Sequence, residues 1–222
     1  MTGPEVTVTG GSTAVVLVTL AVALLTIVVG TWVALTAYQG YRRSGEQSTY
    51  FLAVGIALAA AVHASTRVVL STVNAPSLLV NSIAIAVQST GLIFVLYAVY
   101  GNPDRSAFRV ALGAVIGGSL VLSLPLVLAW NTVLLPMEAI TVANSITAGL
   151  GTFIAIQAYR GYHRYGRRSM LMLAVGIGLL TLGSFTALNA PVSQLSDAIR
   201  IGLVLTVEFT GLLFIAISLH RN

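Results

Sequence analysis

The chain has 222 residues, of which 57% are hydrophobic and only 8% are charged. Because a water-soluble domain carries roughly 25% charged residues, this composition excludes a soluble globular protein and predicts an integral membrane protein in contact with lipid. The net charge of +5 comes from arginines in short clusters between apolar runs, which is not the pattern of a nucleic-acid-binding surface. The absence of cysteine excludes disulfides and thiolate metal sites.

Seven apolar runs are long enough for the roughly 20 residues that a membrane-crossing helix needs. None of the runs alternates polar and apolar residues, so helices are predicted and a β-barrel is not. The fold class is therefore an all-α integral membrane protein with seven transmembrane helices, preceded by a short extracytoplasmic tail at residues 1–12. The predicted spans are 13–38, 49–73, 77–100, 108–130, 133–159, 169–188 and 196–219.

Arginine is distributed unevenly between the two sides of this seven-span arrangement. Arg67 and Arg200 lie within spans or near their ends, and the other nine arginines fall on one side. The positive-inside rule then places the N-terminus outside and the C-terminus in the cytoplasm, as a multi-pass protein of the cell membrane. The nine are Arg42, Arg43, Arg105, Arg109, Arg160, Arg164, Arg167, Arg168 and Arg221.

The sequence repeats itself. Residues 30–58 and 151–179 are identical at 16 of 29 positions without a gap, Asn-Ala-Pro recurs at 74–76 and 189–191, and residues 88–94 resemble 208–214. We therefore predict two parallel three-helix repeats, at 13–101 and 131–222. A linker with the fourth helix, at 102–130, gives both repeats the same orientation and makes the layout 3+1+3.

Each repeat contains a basic, tyrosine-bearing turn on the predicted cytoplasmic side. Glycines at positions 40, 45, 161 and 166 are expected to end the helices, and the tyrosines and arginines to contact the lipid headgroups. The alternative is a docking surface for a cytoplasmic regulatory protein. The turn residues are Tyr38, Tyr41, Arg42, Arg43, Tyr159, Arg160, Tyr162, Arg164, Arg167 and Arg168.

Polar residues within the spans form a candidate midplane site. Glu208 in span seven and Gln88 in span three occupy matching places, so both are expected to face a common axis. His63 and Arg67 share a face of span two, and Asn144 lies deep in span five. Glu208 either binds a proton or ligand or holds helices together. Arg67 is either its counter-ion or extends to the interface.

Other sequence features argue against catalysis and metal binding. The three histidines are scattered, without the spacing of a metal site, and there is no motif of a nucleophile or nucleotide site. We therefore expect no enzymatic activity, metal or cofactor. Gly113 and Gly117 form a GxxxG motif in span four, which predicts packing against a neighbouring helix or a second protomer.

The phrase AY(Q/R)GYxR…LAVGIxL, present in both repeats, resembles a family of small, uncharacterised haloarchaeal membrane proteins that hold one such three-helix unit. The resemblance implies an archaeal membrane protein, and the winged-helix regulators often found beside that family imply a signalling context. The resemblance does not extend to span four or the N-terminal tail.

Two other groups are similar in architecture alone. The 3+1+3 layout looks like that of SWEET sugar transporters, although their proline–glutamine motif is missing. Seven spans also look like microbial rhodopsins and seven-helix sensor domains. The chain has no lysine, so covalently bound retinal is excluded.

Three functions remain open from the sequence. The first hypothesis is a sensor that passes a signal to a separate cytoplasmic partner. The second is a small-solute or proton-coupled transporter, which polar residues around a hydrated midplane cavity would favour. The third is a structural subunit of a membrane complex.

Overall fold

A computed structural model describes residues 13–73, 75–100, 107–131, 134–189 and 197–220 of the chain. The described residues form helices joined by short turns, and none of them forms a strand. Seven of these helices are long and apolar enough to cross a membrane. The prediction of an all-α, multi-pass membrane protein is therefore confirmed at this level.

The seven helices are numbered in chain order, and α2 and α6 each contain one π-helical turn. They are α1 Thr13–Ser44, α2 Gln47–Thr72, α3 Ser77–Tyr100, α4 Ala107–Trp130, α5 Pro136–Tyr165, α6 from Arg168 to Leu188, and α7 Asp197–His220.

Helices α1 and α5 both extend six residues past their predicted ends. Gly45 and Gly166, with φ of 70° and 67°, follow these helices, and the N–H of each donates to the carbonyl four residues earlier at 2.7 Å. This left-handed C-terminal cap favours glycine. The expectation that Gly40 and Gly161 end the helices is wrong, because both lie within them.

We call the end of the bundle that carries these two turns the basic end. Arg109 lies there as well, because the adjacent Val110 packs against Phe51 and Phe94 at the same end of α2 and α3. Arg105, Arg221 and the side chain of Arg200 lie outside the described residues. The exposed arginines of the basic end are Arg42, Arg43, Arg109, Arg160, Arg164, Arg167 and Arg168.

The helices pack as a closed ring around a central core. Helix α2 contacts α1 and α3, and α6 contacts α5 and α7. The ring closes where α1 packs on α7 and α3 packs on α5, and α4 lies outside against α3 and α5. Large apolar side chains on the outer faces, such as Val28 and Leu120, are more than 60% exposed, as lipid-facing residues would be.

Glycine lets two pairs of helices approach closely. A Cβ at Gly55 would lie 2.8 Å from the carbonyl oxygen of Gly91, and one at Gly176 would lie 2.7 Å from that of Gly211. The α2–α3 and α6–α7 backbones therefore touch at two corresponding places. Contacts between small residues of this kind are a common basis of helix packing in membranes.

The two glycines of the α4 motif lie in different surroundings. A Cβ at Gly117 would collide with Ile93 of α3, whereas a Cβ at Gly113 would meet nothing within 4 Å. Gly118 is the second close contact, against Thr90. Helix α4 therefore packs on α3 through Gly117 and Gly118, and Gly113 faces away from the bundle.

Candidate functional site

One cavity of about 40 Å³ lies in the ring of helices, between α2, α3, α5, α6 and α7. The structure brings all five predicted midplane residues to its wall: Glu208, Gln88, His63, Arg67 and Asn144. Their role stays a prediction, but their convergence defines the polar cavity, as we call it below. Other polar residues on its wall are Asn81, Thr147, Thr181 and Ser184.

The closest contact between ionisable groups in the cavity joins α2 and α7. His63 Nε2 lies 3.9 Å from Glu208 Oε1, and both side chains are about 5% exposed. His63 Nδ1 lies 2.9 Å from the carbonyl oxygen of Ala84. A carbonyl can only accept, so Nδ1 carries a hydrogen and donates it, which leaves Nε2 of a neutral imidazole as an acceptor.

This geometry leaves Nε2 of His63 without a partner. The atom is buried and makes no hydrogen bond, although the great majority of buried polar atoms in proteins are paired. A neutral imidazole and a carboxylate would face each other here as two acceptors. One additional proton, or a bridging water, would satisfy both groups.

Gln88 reaches the opposite side of the ring. Its Nε2 donates to the carbonyl oxygen of Leu180 in α6 at 3.4 Å, and the hydroxyl of Ser184 donates to the same oxygen at 3.1 Å. Glu208 of α7 faces α2, and Gln88 of α3 faces α6. Each of these matching residues therefore contacts the second helix of the other half.

A π-turn precedes each of the two cavity residues on α2 and α6. Residues Ala57–Val62 form the first π-turn, directly before His63, and Leu179–Gly183 form the second, directly before Ser184. A π-turn inserts one residue into an α-helix and is frequently found at functional sites. Neither turn is predicted from the sequence, because a shifted backbone hydrogen bond has no side-chain signature.

A second polar contact crosses the wall between α3 and α5. The hydroxyl oxygens of Ser89 and Thr147 lie 2.7 Å apart, and both side chains are buried. Neither residue stands out in the sequence, because serine and threonine are common in membrane helices, where they bond to their own backbone.

Arg67 does not pair with Glu208, contrary to one of the two predictions made for it. It is half-buried on the cavity wall, and among the described residues the group within ion-pair distance of Glu208 is His63. Arg67 lies one helical turn beyond His63, about 6 Å further from the basic end. In this structure its guanidinium group lies beyond ion-pair distance of the carboxyl group. Asn144, also half-buried, makes no side-chain hydrogen bond to another described residue.

The cavity can hold water but not a large molecule. A buried water needs about 10–15 Å³ of cavity volume, so 40 Å³ has room for about three waters. Among the described residues, no group of three histidine, aspartate or glutamate side chains is arranged to hold a metal ion. The chemistry that this wall supports is proton exchange and hydrogen bonding.

The predicted basic turns lie at the other place where polar residues concentrate. Tyr38 and Tyr159 are exposed, Tyr41 and Tyr162 are half-buried, and each tyrosine ring contacts the other in its turn. His163 Nε2 lies 2.9 Å from the hydroxyl of Tyr159. These rings form an exposed aromatic rim beside the arginines of the basic end.

Comparison with known proteins finds a matching family model. The model of a family of unknown function, DUF7521, matches residues 140–220, little more than a third of the chain. The matched part begins in α5 and ends with α7, which corresponds to most of the second predicted repeat. No curated protein matches the chain, and neither does any solved structure.

Proposed function

We propose that the chain is a non-enzymatic transporter that couples the movement of a small polar solute to protons, with the His63–Glu208 pair as the proton site. The observation that carries this proposal is the unpartnered Nε2 of His63, buried 3.9 Å from Glu208 Oε1. Ionisable groups inside a membrane are expensive and typical of proton and substrate pathways. A polar cavity beside the pair supports transport over a packed, dry sensor.

The proposal includes the predicted architecture. The chain would consist of two parallel three-helix repeats joined by α4, with the N-terminus outside and the basic end in the cytoplasm. The matching π-turns and the glycine contacts at Gly55 and Gly176 support the duplication. The exposed arginines support the orientation. A thiol introduced by R42C should react with an impermeant reagent only from the cytoplasmic face.

Proton flux into reconstituted liposomes tests the function. Liposomes would contain a fluorescent pH indicator, and a potassium diffusion potential would drive protons inward with and without a sugar, an amino acid or a monocarboxylate outside. We expect E208Q to reduce the flux about tenfold or more, since an amide cannot bind the proton.

The matched control for E208Q is E138Q. Glu138 is exposed, and its carboxylate accepts a hydrogen bond from the N–H of Leu135 at the start of α5. This substitution should leave the flux unchanged. Flux equal to that of empty liposomes under every condition, or full flux in E208Q, would contradict the proposal.

A second candidate function rests on the basic end. The arginines of the two turns are exposed, and none of them makes an ion pair with another described residue. They would bind an acidic surface of a cytoplasmic partner, as the sensor hypothesis requires.

Neutralising one turn separates the two candidates. The triple variant R164Q, R167Q and R168Q should lose a cytoplasmic protein that co-purifies with the parent chain if the sensor hypothesis is right. R109Q is the control, because Arg109 is exposed at the same end but lies outside the turns. A transporter without a partner would show normal proton flux in both variants.

A further inference from the structure

Two more cavities lie in line with the polar cavity along the bundle. One of about 230 Å³ lies at the basic end, and its wall includes Ser48, Ser169 and Ser218. We call it the vestibule. The other encloses about 10 Å³ between the vestibule and the polar cavity, and only apolar residues form its wall. We call it the constriction.

The order of the three cavities follows from the residues that line them on each helix. Along α2, Ser48 borders the vestibule, Ile56 borders the constriction and His63 borders the polar cavity. Along α7, which runs in the opposite direction, Glu208 comes first, then Leu212, then Ser218. The residues of α3 and α6 that line the three cavities place the cavities in the same order.

The side chains of the constriction come in matching pairs from the two halves. The six paired side chains are buried, at 3% exposure or less. The pairs are Ile56 and Ile177, Leu92 and Leu212, and Val95 and Ile215.

The constriction excludes water for two reasons. Its volume of about 10 Å³ is at most that of one water molecule. Its wall has no side chain able to form a hydrogen bond, and apolar constrictions in membrane pores close by dewetting. Without a chain of waters, neither a solute nor a proton can pass between the polar cavity and the vestibule in this state.

The geometry points to a hydrophobic gate: the paired apolar side chains of the constriction separate the polar cavity from the vestibule, and a proton or solute reaches the vestibule only when they part. That a proton or small solute passes the gate rests on the proposed function. The gate itself concerns only whether the polar cavity can be reached from the vestibule. Both π-turns border the constriction, since Ala59 and Leu180 belong to them and to its wall. A π-turn can shift to α-helical bonding, which offers a way for the gate to move.

Thiol labelling measures access on each side of the gate in this cysteine-free chain. S169C places a thiol in the vestibule, and S184C places one in the polar cavity. An impermeant thiol reagent is applied to right-side-out and to inside-out vesicles. The vesicle form in which S169C reacts fast identifies the face of the basic end, and S184C should react slowly from that face.

Two substitutions at one position then test the apolar nature of the gate. L92N and L92M both keep the four side-chain heavy atoms of leucine, but only asparagine can hydrogen-bond to water. We expect L92N to raise the labelling rate of S184C from the basic end by about tenfold or more, and L92M to leave it unchanged. L212N and L212M, the matching pair on α7, should behave in the same way.

The S169C rate in each background reports whether the bundle is intact. The inference is overturned if S184C reacts from the basic end as fast as S169C with Leu92 in place. It is also overturned if neither asparagine variant raises the S184C rate in a background where S169C labels normally. If the Leu92 variants disturb S169C labelling, the Leu212 variants decide.

The labelling assay tests the gate and the flux assay tests the proposed function, so either hypothesis can be contradicted while the other is supported. Gated labelling together with flux equal to that of empty liposomes would support the gate and contradict the proton-coupled function. Flux that depends on Glu208, together with ungated labelling, would support the function and overturn the gate.

Discussion

The two predicted repeats present different residues to the polar cavity. Helices α2 and α3 contribute His63 and Gln88, whereas α6 and α7 contribute Ser184 and Glu208 at the matching places. Both halves share a π-turn before the first residue of each pair and a glycine contact beside the second. The backbone therefore sets where polar groups meet, and the side chains decide whether they form one ionisable pair or a neutral hydrogen bond.

The shared glycine contacts should produce the largest effects. G55V or G176V would place a side chain where the backbone of the neighbouring helix lies, less than 3 Å away. We expect each to lower the free energy of unfolding by about 3 kcal/mol, measured by detergent denaturation and circular dichroism.

The control for these variants is G113A, because a Cβ there meets nothing within 4 Å. Alanine should stabilise α4 by up to about 1 kcal/mol. A small effect of G176V beside a large one of G55V would break the equivalence of the two halves.

Exchanging the polar residues of the halves comes next. Q88E would place a carboxylate against the carbonyl oxygen of Leu180, with no histidine facing it. We expect a loss of about 2 kcal/mol in the free energy of unfolding, from a buried group without a suitable partner.

Adding S184H to Q88E should recover part of that loss. The new histidine on α6 would face the new carboxylate on α3, as His63 on α2 faces Glu208 on α7. The same denaturation measurement reads the recovery. A Q88E variant as stable as the parent would show that the two sides of the cavity do not discriminate between an amide and a carboxylate.

The two left-handed caps should respond alike. G45A and G166A force a side chain into φ near 70°, which costs about 1 kcal/mol each. Thermal unfolding in detergent should show equal decreases in the midpoint temperature. If only one variant loses stability, the two basic turns do not do the same structural work.

We expect the smallest effect from the contact between Ser89 and Thr147, which has no described counterpart at the matching threonine. A double-mutant cycle of S89A and T147V should give a coupling of about 0.6 kcal/mol, as for other hydrogen bonds between membrane helices. Thr26 is the match of Thr147, and both hydroxyls donate to their own helix, at Val22 and at Ala143, but only Thr147 is described in contact with Ser89. T26V should therefore show no coupling with S89A, and equal couplings would contradict the contact.

The sequence predicted the helices and the polar set because both depend on composition along one chain segment. Apolar runs of membrane length specify spans, and a glutamate or histidine inside one stands out. Helix ends depend on more than composition. Each basic turn has two glycines, and only the φ of Gly45 and Gly166 shows which one ends the helix.

The partner of Glu208 could not be read from the sequence. His63 and Arg67 lie on one face of α2, and which of them reaches the carboxyl depends on depth along the axis. That depth depends on how α2 and α7 are placed relative to each other in the bundle, which no pattern within one segment reveals.

The two π-turns also make the chain sensitive to length. Each holds one residue more than an α-helical turn would, so deleting a single residue from Ala57–Val62 would allow regular bonding. Everything that follows in α2 would then rotate by about 100° and move by about 1.5 Å relative to the first half of the helix. His63 would turn from the cavity towards a neighbouring helix or lipid. At these two places, the number of residues is as much a part of the site as their identity.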